Sequence, residues 1–207
     1  MIKVLFAGCP EPAAKTLKYL FEHSEENNFK IVGVLTNPPT AKGRHKDLIP
    51  TPVAKVAEEY STEENFIPVF TPEHLNAEAR EQIMPLAADI LVCFAYGHIF
   101  GPKFLSLFKY GGMNLHPSLL PKYRGCTPVP AAILNRDSET AITIQTVSLK
   151  MDEGNILAQE KVSLDGTEVA FELLDNAAIS GARLICDILL KIENDPSVLI
   201  GIPQSGE

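Results

Sequence analysis

The sequence has no two cysteines placed to act together. Cys9, Cys93, Cys126 and Cys186 are scattered along 207 residues with no CxxC pair. That excludes the usual zinc spacings and a disulfide framework, and suits a reducing cytosol. Positive charge is also scarce, since 18 Lys and Arg against 26 Asp and Glu leave a formal net charge of -8. Neutralising phosphates takes cations, so nucleic-acid binding across the whole surface is excluded and any basic patch has to be local. Long hydrophobic runs are missing too. The opening MIKVLFAGCPEP is broken by Gly8 and Pro10, which leaves it too short for a signal-peptide core and far too short to cross a bilayer. Gly8 stands alone, with no GxGxxG to bring backbone amides against a pyrophosphate, and this argues against a non-catalytic dinucleotide-binding module. There is no internal repeat and no low-complexity tract. What remains, 45% hydrophobic and 21% charged, suits one α/β domain that folds alone, and predicts a cytoplasmic monomer without membrane contact.

Short apolar runs alternate with helical patterns. Strands are predicted at residues 2–6, 30–36, 67–70, 89–94 and 112–116, and helices at 12–21, 52–60, 77–86, 102–107 and 128–135. Near-continuous apolar strands of this kind are buried on both faces, as in a parallel sheet. Residues 141–147 and 156–162 alternate apolar with polar and read as more exposed strands, open to antiparallel pairing, before a last helix at 167–192. An apolar stripe of Val169, Leu173, Ala177, Leu184 and Ile188 assigns that helix to the core. Pro12, Pro52 and Pro72 stand where first helical turns should begin, with Thr51 and Thr71 as caps. A catalytic domain over residues 1–192 is expected, with the Pro-, Gly- and Ser-containing stretch 193–207 starting a linker to a further domain.

In an open parallel sheet, ligands bind beyond the carboxyl ends of the strands. The loops after Phe6, Thr36, Phe94 and His116 should therefore converge, and all four are rich in Gly, Pro or polar residues. The sharpest segment is GMNLHPSLLPKYRG, residues 112–125. A period of two puts Asn114 and His116 on one face at a strand's carboxyl end. A carboxamide can donate to an oxygen that becomes negative, and an imidazole can do so while trading a proton. Asp152, in SLKMDEGN, can come back to the site if Gly154 permits a sharp turn, and would then keep His116 charged and oriented. The plain alternatives stay open here: Asp152 and Gly154 as an ordinary β-turn, and His116 as a structural strand histidine.

These residues resemble the folate-dependent formyltransferases, whose active site carries Asn, any residue, His, then SLLP and YRG, and later an Asp before Gly. The resemblance covers nearly the whole chain and implies a Rossmann-like formyltransferase fold, a mostly parallel central sheet with helices on both faces. It implies Asn114, His116 and Asp152 as catalytic residues. It also implies that 10-formyltetrahydrofolate is the donor, its pterin against Phe94, Ala95, Tyr96 and Gly97 and against Ser118, Leu119, Leu120 and Pro121. The loops FAGCPEPA, GVLTNPP, GR and PTPV are closest to the branch that formylates initiator methionyl-tRNA at its α-amine for translation initiation. The glycine-rich first loop that grips phosphate in the glycinamide ribonucleotide branch is absent. Sugar-nucleotide formyltransferases share NLHxSLLPKYRG but not the first and second loops, and remain the alternative. The cluster Lys42, Arg44, His45 and Lys46 is by itself an ordinary solvated turn, and the resemblance assigns Lys42, Arg44 and Lys46 to the tRNA acceptor end. No metal is expected. His23, His74 and His98 lack partners at useful spacing, and Cys126 reads as small filler.

Overall fold

The computed structural model describes residues 1–43 and 46–205. The chain opens with strand β1, Ile2–Gly8, and helix α1, Glu11–Glu22, which carries Pro12 in its first turn. After β2, Phe29–Leu35, come two three-residue strands, β3, Thr40–Lys42, and β4, Asp47–Ile49, paired antiparallel. This hairpin was not legible in the sequence, because strands so short and exposed carry no apolar period. Helix α2, Pro52–Tyr60, starts as expected, with Thr51 Oγ1 accepting from the Ala54 amide at 3.1 Å. Strand β5 is only Val69–Phe70.

Pro72 does not begin a helix. The next one, α3, Ala77–Ile83, starts behind Asn76, whose Oδ1 accepts from the Ala79 amide at 3.0 Å. It tightens into a 3-10 turn at Met84–Leu86, where Pro85 has no amide hydrogen and its ring crowds the preceding carbonyl. Strand β6, Ile90–Phe94, helix α4, Pro102–Leu105, strand β7, Gly112–His116, and helix α5, Pro128–Leu134, fall where expected. Strands β8, Glu139–Thr146, and β9, Ile156–Ser163, follow. The last long helix, α6, is Ala170–Ile192 and begins three residues late. Asp165 Oδ1 accepts from the Thr167 amide at 2.9 Å, and the Glu168 carboxylate accepts from the Asp165 and Gly166 amides. These local bonds hold a turn where the first helical turn was expected.

One seven-stranded sheet runs in the order β5-β2-β1-β6-β7-β8-β9. The first five strands are parallel; β8 is antiparallel to β7 and β9 to β8. The order reverses between β1 and β6, where the carboxyl ends leave a crevice. Alternate residues feed two cores. Val4, Phe6, Ile90, Val92, Met113 and Leu115 meet α1, α2 and α6 on one face, while Leu5, Ala7, Leu91 and Cys93 meet Ile83, Phe100, Phe104 and Phe108 on the other. The sheet is thus mostly parallel with helices on both faces. Strand β8 was expected to be exposed but is almost wholly buried, polar Thr143 and Gln145 included, because it lies inside the sheet with β9 outside it.

Helix α6 buries Leu173, Ala177, Gly181, Ile185, Ile188 and Leu189, with Leu184 half-buried and packed against the same core, while Val169 stays exposed. Each fully buried Leu or Ile contributes about 1.5–3 kcal/mol. A Cβ on Gly181 would lie 2.1 Å from Leu115 Cδ1, so the missing side chain lets α6 rest directly on β7. Part of the stretch 193–207 lies against the body. Residues Pro196–Leu199 form a 3-10 turn, and Ile202 pairs with Ile156 through two backbone hydrogen bonds of 2.8 and 2.9 Å.

Candidate active site

Asn114 and His116 close β7 on the face opposite Met113 and Leu115. Cys93 on β6 and Gln145 on β8 are the register partners of Asn114, so the three side chains stand in a row across three strands. The Asn114 carboxamide makes no hydrogen bond to any described residue, and it lines a cavity of about 570 Å³ together with His116 and Asp152. A volume of that order is ordinary for a small-molecule site. Strand histidine, turn aspartate and strand asparagine thus border the same space.

His116 is 5% exposed. Its Nε2 donates to the Tyr123 carbonyl oxygen at 2.8 Å, while Nδ1 faces Asp152 Oδ1 at 3.5 Å. The first bond commits Nε2 and fixes the ring plane, with the Nδ1 edge turned to Asp152. A separation of 3.5 Å is longer than a hydrogen bond, as catalytic pairs often are before substrate closes on them. Asp152 is itself tightly held. Oδ1 accepts from Gln145 Nε2 and Oδ2 from the Gly125 amide, both at 2.8 Å. Gly154 is needed for a reason other than the sharp turn expected: a Cβ there would sit 1.7 Å from the Thr146 carbonyl oxygen. The loop between β8 and β9 packs backbone to backbone, and only glycine lets it reach the site.

Such a group of side chains, a free carboxamide, an oriented imidazole and a fixed carboxylate, can stabilise an oxygen gaining negative charge and pass a proton. Residues 2–188 match the family model described as formyl transferase. The chain belongs to the formyl transferase family. It is 44% identical over 197 residues to a Treponema pallidum protein named methionyl-tRNA formyltransferase, covering 93% of this chain and 60% of that relative. A Treponema denticola protein of the same name is 43% identical over 197 residues, covering 93% of this chain and 59% of its own length. The chain thus spans about three fifths of the relatives it matches. Among solved structures, the phosphoribosylglycinamide formyltransferase from Bacillus halodurans has a TM-score of 0.75 at 22% identity, covering 94% of this chain and 96% of that one. At that identity the likeness is one of fold.

In this family member the cavity is bounded by the segments after β1, β6 and β7, as the strand ends predicted. The expected loop after Thr36 does not line it among the described residues. Among the described residues, its Asn37 Oδ1 is 2.8 Å from His98 Nε2 at the cavity. The β8–β9 loop, through Val147, Met151 and Asp152, takes that place. Phe94, Ala95, Tyr96 and Gly97 line the cavity as expected. Ser118, Leu119, Leu120 and Pro121 do not: Ser118 is fully buried, its Oγ donates to the Lys122 carbonyl at 2.7 Å, and its own carbonyl accepts from Thr143 Oγ1. That run braces the turn beneath His116. Lys46 is exposed on the β3–β4 hairpin, whereas Arg44, His45 and the Lys42 side chain lie outside the described residues.

Sequence reasoning missed the apolar wall of Ile99, Phe100, Val147 and Met151, and the positioning roles of Gln145, Tyr123 and Gly125. The only available signal was the register of Gln145 opposite Asn114, which needs the sheet order. His98, read as partnerless, lines the cavity and lies tilted against Tyr96, 4.8 Å between ring centroids. Burial pushes the Cys93 thiol up to about 12 and raises the Cys9 thiol and Tyr96 hydroxyl above their ordinary values. Neither thiol is a nucleophile near neutrality. Tyr96 Oη is a buried polar atom without a hydrogen-bond partner among the described residues. Those residues also hold no group of three or more His, Cys, Asp or Glu placed for a metal, and no helix long and apolar enough to cross a membrane.

Proposed function

We propose that the chain transfers the formyl group of 10-formyltetrahydrofolate to the α-amine of initiator methionyl-tRNA, in the cytoplasm, with Asn114, His116 and Asp152 as its catalytic residues. The observation that carries this reading is the meeting of those three side chains on one cavity in a formyl transferase whose relatives at 43 and 44% identity are named methionyl-tRNA formyltransferase. The cavity suits the donor. Ile99, Phe100, Val147 and Met151 give apolar walls for a flat ring, and the backbone of residues 94–97 offers polar atoms to its edge. The donor supplies an activated formyl carbon, and the residues do the rest. The α-amine attacks the formyl carbon to form the new C–N bond, while Asn114 and His116 donate to the formyl oxygen as it gains charge. The bond from that carbon to N10 of the donor then breaks, the proton lost by the amine goes to N10, and tetrahydrofolate leaves. Asp152 orients His116 from its Nδ1 side.

Lys42, Arg44 and Lys46 are proposed to contact the tRNA acceptor end, the local basicity that an acidic protein of net charge -8 would need. The test is formyl transfer from 10-formyltetrahydrofolate to methionyl-tRNA by the parent chain and by His116→Ala. Formylated methionyl-tRNA from the parent and a strong loss in the variant are expected. Formylation of a sugar nucleotide or glycinamide ribonucleotide, with none of methionyl-tRNA, would overturn the acceptor assignment.

A further inference from the structure

We infer that the chain's tail is part of the active site, and that Gln204 is a positioning residue which holds Asp152 in its working place. The inference rests on the reading of Asp152 as catalytic. Asp152 has φ 54, in the left-handed region. Aspartate tolerates that conformation better than most residues, yet a non-glycine residue stays there only where its surroundings over-determine it. The Gly125 amide and Gln145 Nε2 hold the side chain. Gln204 holds the backbone: its Nε2 donates to the carbonyl oxygens of Asp152 and Gly154, each at 2.8 Å.

The other end of the same carboxamide is also engaged. Gln204 Oε1 accepts from Arg124 Nε at 3.0 Å and Nη2 at 2.9 Å. An amide has two N–H donors and two acceptor lone pairs, and all four are used. Gln204 therefore joins the tail, the turn after β7 and the β8–β9 loop at one point. Arg124 precedes the very amide that binds Asp152 Oδ2, so both grips on Asp152 depend on this residue. The tail is anchored for the purpose by the Ile156–Ile202 pair and by Asn155 Nδ2, which donates to the Ile200 carbonyl at 2.8 Å. Gln204 does not line the cavity, so it acts through Asp152 and not on substrate.

A carboxylate is the revealing substitution. Gln204→Glu keeps an acceptor for Arg124 but sets negative oxygen against two carbonyl oxygens. Gln204→Ala and Gln204→Glu are compared in the full chain with Ile202→Ala, whose side chain is 71% exposed. Both Gln204 variants should lose about tenfold in kcat with donor KM changed by no more than about twofold, the pattern of a lost transition-state contact. Amide exchange across residues 152–155 should speed up by about tenfold, reporting local loosening while melting temperature changes little. Ile202→Ala should match the parent in both.

A Gln204→Ala chain with kcat near the parent's and unchanged exchange overturns the inference. So does recovery of kcat in Gln204→Glu, since the grip on Arg124 would then suffice, and so does failure of every Gln204 variant to fold, since the role would then be structural. A parent that does not formylate methionyl-tRNA overturns the proposed function, and the exchange comparison still tests the tail.

Discussion

At the residue scale the site is set by which atoms are already committed. His116 Nε2 is spent on the Tyr123 carbonyl, and Asp152 is gripped from Gly125 and Gln145, while Asn114 keeps its carboxamide for the cavity. Removing either donor to the developing oxyanion, by Asn114→Ala or His116→Ala, should lower kcat by about a hundred- to a thousandfold, measured as formyl transfer under single-turnover conditions. The cysteines give an independent check on the cavity. Cys93 and Cys186 are buried, with thiols pushed up to about 12, whereas Cys126 is exposed and lines the cavity. Alkylation at neutral pH should therefore modify Cys126 first and leave Cys93 and Cys186 untouched until the chain unfolds. Saturating 10-formyltetrahydrofolate should slow the labelling of Cys126, as read by mass spectrometry of the digested protein. Asn114 and His116 were legible because strand periodicity alone puts them on one face. Gln145 and Gln204 were not, since each is joined to the site across a strand pair or a tail that only folding brings near.

At the scale of elements, the β8–β9 loop is the piece that makes the site complete. Its entry depends on Gly154, where any Cβ would collide with the Thr146 carbonyl oxygen. Gly154→Ala must push the loop away, and Asp152 lies two residues before it. The strain should cost about 1–3 kcal/mol of stability, as overpacking does. The loss of kcat should exceed about tenfold, since a displacement of about an ångström suffices to spoil positioning. Calorimetry and steady-state rates on one preparation separate the two effects; a rate close to the parent's would mean that the loop does not carry a catalytic group. The helices were mostly legible, through Pro52, Thr51 and Asn76 at their starts. Pro72 misled because proline marks turns as readily as first helical turns, and Thr167 because Asp165 and Glu168 bind backbone amides that a helix would have left free.

For the whole molecule, net charge and sheet order matter most. A chain with 18 basic and 26 acidic residues can hold tRNA only through local contacts. If Lys42, Arg44 and Lys46 each meet a phosphate, the logarithm of affinity should fall with the logarithm of salt at a slope of about -2 to -3, and replacing all three with alanine should bring it towards zero. Binding titrations between low and physiological salt measure this. The sequence by itself determined the alternation of strands and helices, the two-faced burial of the parallel strands, and the placing of Asn114 and His116 at a strand's carboxyl end. All of these follow from periodicity and local sterics within a few residues. Only the tertiary structure decided that β8 lies inside the sheet, that the apolar wall comes from the segments after β6 and β8, and that the tail returns to grip Asp152. These are contacts between stretches far apart in the chain, such as Gln204 on Asp152 and Arg124. Their partners are set by sheet order and by which backbone groups are left unpaired once the strands have joined.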